Sequence, residues 1–252
     1  MAKIVGHTLL AKLGKKRLRP GGVKATNWLL KQADFNGIKM LEVATNMATT
    51  SIEIASKYDV AITGVDMDLK AIEKAKENTL KHHVSEKISF VHANATNLPF
   101  ADNSFDLVLN EAMLTMLTHE NKEKAISEYY RVLKPGGKLL THDVYLNTDD
   151  LDLQKEIISE LTRAINFHVN PKPLQEWLKL YGNHNFKDLK YINGPMTLMT
   201  PLGMIRDEGL INTLKIRRRA KSLEHREQFL HMKAVFKKYK KYLGFIAVVV
   251  VK

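Results

Sequence analysis

Along this chain, short apolar runs alternate with longer stretches in which apolar positions recur every three or four residues. The first pattern reads as a buried strand, the second as an amphipathic helix. "LRPGG" (18–22) is a turn signal, and "VKATNWLLKQA" (23–33) predicts a helix with Trp28 and Leu29 on its apolar side. "GIKMLEVA" (37–44) predicts a strand, and "ATTSIEIASKY" (48–58) a helix with Ala48, Ile52 and Ala55 at helical spacing. "DVAITGVDMD" (59–68) follows as a strand that ends in acid, and the segment 69–83 as a helix with Leu69, Ile72, Ala75 and Leu80 on one face. "KISFVHANA" (87–95) and "SFDLVLNEAM" (104–113) are further strands, separated by the loop "LPFADN". "EKAISEYYRVLKPGG" (123–137) spaces Ile126, Tyr129, Tyr130 and Leu133 as one helical face, and Pro135 with two glycines stops it. "KLLTHDVYL" (138–146) is a fifth strand; beyond residue 150 the pattern is helical, with "FKDLKYI" (186–192) and "LGFIAVVVV" (243–251) as the last strands.

Strands alternating with helices imply right-handed crossovers and an α/β, doubly wound parallel sheet with helices on both faces. Such a sheet binds ligands beyond the carboxyl ends of its strands, near the turn after the first one. That turn is "VATNMATT" (43–50), which lacks the glycines of a nucleotide-binding loop.

Composition narrows the classes. At 252 residues with 44% hydrophobic content the chain can bury one substantial core. It has no cysteine, which removes disulfides, thiolate metal sites and a cysteine nucleophile. No metal constellation stands out; His82 and His83 are adjacent at a helix end. The first twenty residues do not read as a secretory signal. The apolar run "FIAVVVV" is far shorter than the roughly 20 residues a membrane helix needs. The expectation is a soluble, cytoplasmic protein with no membrane partner.

Charge is unevenly placed. Of the net +12, residues 1–19 carry +6 and residues 215–241 carry +9, which leaves the body at −3. The basic ends make weak nucleic-acid binding one reading. The other is a tail helix that lays Phe229, Met232, Phe236 and Tyr239 on the body and turns its lysines to water. The methionine-rich stretch 193–211 either lines an apolar pocket or packs in the core.

Four ordered signatures, "MLEVATNMA", "ITGVDMD", "VHANATNLPFADNSFDLVLN" and "YRVLKPGGKLL", resemble those of class I S-adenosylmethionine-dependent methyltransferases, of the group that includes the ubiquinone and menaquinone biosynthesis enzymes. The resemblance covers about residues 36–145 and implies a mostly parallel, seven-stranded Rossmann-like sheet with an α-helical elaboration. It divides the chain into a basic N-terminal lid (1–35), a cofactor-binding core (36–145) and a helical lid and substrate region with the last strands (146–252).

By the same resemblance, Glu42 supports the methionine part of S-adenosylmethionine, Asp66 accepts from the ribose hydroxyls, and Met67 packs on the adenine. Asn94 and Ala95 lie beside the adenine amino group, Asn110 and Glu111 face the reaction centre, and Arg19 meets the methionine carboxylate. Where the family has three alternating glycines, this chain has Ala44, Asn46 and Ala48. Asn tolerates the left-handed region and alanine is the smallest alternative to glycine, so the loop can keep its shape around a tighter pocket. Glu111 and His142 are the catalytic candidates; His119 and Asp143 also lie near strand ends as candidate bases. Methyl transfer to a small-molecule nucleophile is the first reading. A macromolecular substrate such as RNA and a non-catalytic ligand-binding protein on the same scaffold stay open.

Overall fold

The computed structural model describes residues 4–221 and 226–252. The elements run α1 (Gly6–Lys12), α2 (Gly22–Leu30), β1 (Ile38–Val43), α3 (Thr49–Ala55), β2 (Val60–Asp66), α4 (Leu69–Lys81), β3 (Ile88–His92) and β4 (Phe105–Glu111). A 3-10 turn (Leu114–Met116) then leads to α5 (His119–Val132), β5 (Leu133–Leu146), α6 (Leu151–Ile165), β6 (Lys172–Pro173) and α7 (Leu174–Gly182). The chain ends with β7 (Lys187–Pro195), α8 (Pro201–Glu208), α9 (Leu210–Arg219), α10 (Arg226–Lys238) and β8 (Leu243–Val251).

The sheet order is β3-β2-β1-β4-β5-β8-β7, with β1 to β5 parallel and β8 antiparallel to both its neighbours. Two residues of β6 add an eighth strand beside the end of β5, where seven were expected. The order reverses between β1 and β4, so the turn after β1 lies at the switch point.

Two boundaries differ from the expectation. The helix of 119–132 begins one turn early because the Thr118 hydroxyl accepts from the Asn121 amide at 3.3 Å and caps it. It also ends early: the residue before a proline is biased away from helix, and the chain is already strand at Leu133. The early helix α1 was not anticipated; it buries only Gly6, Leu9 and Leu10.

Period-two alternation sorts the strand side chains onto two faces. Leu41, Val43, Val108 and Leu139 pack with Ile126, Tyr129 and Trp177 on the face of α5 and α7. Met40, Leu107, Leu109 and Leu140 pack with Ala25, Leu29, Ile52 and Ile54 on the face of α2 and α3. Each fully buried side chain of this size contributes about 1.5–3 kcal/mol. A third cluster joins Leu9 and Leu10 of α1, Ile157 and Leu161 of α6, and Phe229 and Met232 of α10.

Candidate active site

Alternation also decides which polar side chains meet at the strand ends. Met40, Leu107, Leu109 and Leu140 face α2 and α3, so Glu42, Glu111 and His142, two residues further along β1, β4 and β5, face the same way. Glu111 and His142 are register partners. The Arg19 Nε lies 3.0 Å from Glu111 Oε2, Thr26 Oγ1 donates to Oε1 at 2.6 Å and Thr50 Oγ1 to Oε2 at 2.7 Å. Arg19 also donates to the hydroxyls of Thr26 and Thr50. His142 Nδ1 is 3.2 Å from Glu111 Oε1, and its Nε2 accepts from the Gly21 amide at 2.9 Å. Nε2 is therefore the acceptor nitrogen and Nδ1 carries the hydrogen. The approach of the Gly21 backbone explains "LRPGG": a Cβ on Gly21 would lie 2.6 Å from the Phe245 ring, and Gly22 has φ +58° with Asp207 pressed against it.

Burial alone would raise the Glu111 carboxyl, but the Arg19 guanidinium and the hydrogen bonds from His142 and Thr26 bring it down to about 2. Glu42 goes the other way. Burial pushes it up, and among the described residues its hydrogen-bond partners are the hydroxyls of Thr45 (2.7 Å) and Ser51, both on Oε2.

The glycine-free loop turns through three left-handed residues, Ala44 (φ 57°), Asn46 (φ 49°) and Ala48 (φ 55°). These are the three positions at which the resemblance led to an expectation of glycine. The conformation is held by Thr45 N–H to the Val65 carbonyl (3.0 Å), Asn46 N–H to Asp66 Oδ2 (2.9 Å) and Ala48 N–H to the Thr45 carbonyl (2.8 Å). L-residues cost roughly 1–2 kcal/mol in this region, so tertiary contacts here outweigh local preference.

Loop and strand ends open into a cavity of about 750 Å³, within the range of small-molecule sites. One end is polar, with Glu42, Asn46, Asp66, Asp68, Lys70 and Asn94. Elsewhere the lining is apolar and continuous with the third cluster: Leu10 from α1, Leu161 and Ile165 from α6, Met196, and Met232 and Phe236 from α10, with the half-exposed Phe167 beside them.

This arrangement can be set against known proteins. Residues 41–141 match the family described as "Methyltransferase domain". An uncharacterized protein of Haemophilus influenzae is 49% identical over 97% of this chain and 96% of its own length. The ubiquinone/menaquinone biosynthesis C-methyltransferase of Klebsiella pneumoniae is 31% identical, over 58% of this chain and 57% of its own. An O-methyltransferase of Aspergillus nomiae is 32% identical over 63% of this chain and 68% of its own. The chain is a class I S-adenosylmethionine-dependent methyltransferase. The solved structure of a methyltransferase from Geobacter sulfurreducens in complex with S-adenosylhomocysteine shares the fold, with a TM-score of 0.70 over 99% of both chains at 16% identity. The cofactor of this methyltransferase is S-adenosylmethionine.

Within the methyltransferase, Arg19, Glu42, Ala44, Asn46, Asp66, Met67, Asn94, Ala95 and Glu111 all line the cavity. Asp66 accepts from the amides of Asn46 (2.9 Å) and Asp68 (3.0 Å), and it is Asp68 that caps α4. Met67 is 64% exposed beside them. Two expected site residues lie elsewhere. Asn110 is one position from Glu111 and so faces the opposite side of the sheet, where its Nδ2 donates to the Tyr129 hydroxyl at 3.1 Å. His142 is fully buried with both ring nitrogens bonded, which leaves neither for a substrate proton. His119 is solvent-exposed at the start of α5.

Other cavity residues were missed. Thr115 lines the cavity bonded to Asp143 (2.5 Å), one of the expected candidate bases, and burial pushes the Asp143 carboxyl up. His7, in α1, also lines it, and burial lowers its imidazole against the pull of Asp66 and Asp68. The hydroxyls of Thr26, Thr50 and Ser51 complete the carboxylate cluster. The only advance signal for the last two was "TTS" directly after the loop.

Proposed function

We propose that the methyltransferase transfers a methyl group to a small, largely apolar molecule lodged against the apolar lining of the cavity. The observation that carries this reading is the continuity of that apolar lining, built from α1, α6 and α10, with the polar strand ends. A pocket walled by methionine, leucine and phenylalanine fits an apolar body with few polar groups.

The chain's groups suit the cofactor. A carboxylate has about four acceptor positions, and Asp66 uses two on backbone amides, which leaves capacity for ribose hydroxyls. Glu42 Oε1 and the remaining N–H donors of Arg19 are assigned to the amino and carboxylate groups of the methionine moiety. When bound, S-adenosylmethionine supplies an electrophilic methyl on a sulfonium, so holding the acceptor in line supplies most of the catalysis. Glu111 and His142 keep Arg19 in place, and Asp143 is the cavity carboxylate that can take an acceptor proton.

Isothermal titration with S-adenosylmethionine and S-adenosylhomocysteine tests the cofactor assignment. Asp66→Ala weakens both by ten-fold or more if the carboxylate binds the ribose. Release of S-adenosylhomocysteine, screened over apolar phenols, thiols and amines and over RNA, tests the acceptor class. Turnover with RNA alone would overturn the small-molecule reading.

A further inference from the structure

We infer that the outer face of α8 and α9 is a docking surface for an anionic lipid bilayer. On α9, Thr213 and Ile216 are buried against the body with Ala220 just beyond the helix, and everything opposite that stripe faces water. The exposed side chains are aliphatic in the first half: Leu210, Ile211 (72% exposed) and Leu214. On α8, Leu202 (81% exposed) and Ile205 continue the same character, and a single residue, Gly209, joins the two helices. One exposed leucine needs no explanation, but five large aliphatic side chains on two packed, consecutive helices do.

Charge selects the occupant. Lys215, Arg217 and Arg218 extend the exposed face of α9, and none has an ion-pair or hydrogen-bond partner among the described residues. The acids of α8 turn inward instead. Asp207 is buried and accepts from the Val23 amide at 3.1 Å, and Glu208 accepts from the amides of Lys16 and Arg17, each at 2.9 Å. The outer face is thus aliphatic and cationic without a compensating carboxylate of its own. A second copy of the chain would present the same uncompensated cations across a two-fold interface and be repelled. A phosphate backbone would use the cations but leave the aliphatic side chains in water. A bilayer with anionic headgroups accepts both. No described helix is long and apolar enough to cross a membrane, so the contact is peripheral. The same helices are bonded to the N-terminal segment that walls the cavity, through Glu208 and through Asn212 to the Gly14 carbonyl at 3.0 Å.

The test is sedimentation of the full chain with vesicles of equimolar phosphatidylglycerol and phosphatidylcholine, against vesicles of phosphatidylcholine alone. The expected result is binding to the anionic vesicles that weakens as salt rises. Replacing the cations (Lys215→Gln, Arg217→Gln and Arg218→Gln) lowers partitioning on the order of a hundred-fold, at about a factor of five per cation. Replacing the aliphatics (Leu202→Ser, Ile211→Ser and Leu214→Ser) removes the binding that persists at high salt. Unchanged S-adenosylhomocysteine affinity and thermal unfolding show that both variants are folded. Three results would each overturn the inference: no sedimentation with anionic vesicles at low salt, binding that the serine variant leaves intact, or a dimer in sedimentation velocity that the serine variant dissociates. RNA binding that the glutamine variant abolishes, without vesicle binding, would do so too.

Discussion

Replacing Ala44 with glycine should stabilise the methyltransferase, and the same change at Ala48 should not. Both alanines sit in the left-handed region, at φ 57° and 55°. An L-residue loses roughly 1–2 kcal/mol there, and glycine does not. Against that gain, glycine's extra freedom in the unfolded chain costs about 0.4–1 kcal/mol. Ala44 is half-buried at the cavity wall, so little packing is lost and the net is a gain of about 0.5–1 kcal/mol. Ala48 is fully buried in the core on the α2 and α3 face, and removing its methyl forfeits about a further 0.8 kcal/mol, which brings the net close to zero. At about 2–4 °C per kcal/mol for a chain of this size, Ala44→Gly raises the melting temperature by roughly 2–3 °C while Ala48→Gly leaves it nearly unchanged. Thermal unfolding without ligand, followed by circular dichroism, measures both. A fall in melting temperature for Ala44→Gly would refute the reasoning, since it would show that the loop stores no relievable strain. The variant should also bind S-adenosylhomocysteine at least as tightly, because the methyl it loses borders the cavity.

Other expectations concern the buried charges. Glu111→Gln leaves the Arg19 guanidinium without its carboxylate and should cost about 3–5 kcal/mol in urea unfolding. Because the folded Glu111 carboxyl lies at about 2, below its ordinary 4.5, its contribution is complete above that ordinary value; it is lost as pH falls from about 4.5 towards 2, and the glutamine variant should show a flatter acid limb. Burial lowers the Lys122 ammonium to about 8, and its Nζ donates to the carbonyls of Leu117 (2.7 Å) and Asn170 (2.8 Å). The unfolded chain then binds more protons between about 8 and 10.5, so stability should rise with pH across that window and lose this slope in Lys122→Met. Tyr129→Phe removes the partner of Asn110 and should cost about 1–3 kcal/mol with no change in S-adenosylhomocysteine affinity, since neither group reaches the cavity.

Much of the fold and part of the site were legible in the residue order. Strand and helix periodicity depends on local geometry, which is why the alternation from Ile38 to Leu146 appeared in its true order, with its bounds displaced by a turn or more only around 119–137. The turn after the first strand was placed at the cavity because a doubly wound topology brings strand ends together, and the acid at the end of the second strand was placed there by the family resemblance. Three things were decided only by tertiary structure. Residues 110 and 111 differ by one step of the pleat, and only the packed faces show that Glu111 points to the cavity while Asn110 points to Tyr129. His142 reads as a base candidate until the Gly21 amide, 121 residues away in sequence, is seen to occupy its second nitrogen. The apolar lining of the cavity joins α1, α6 and α10 across most of the chain's length, through contacts that no local pattern encodes. Local periodicity sets which face a side chain takes within its own element; what that face meets depends on long-range packing, and the chemistry of this site lies in those meetings.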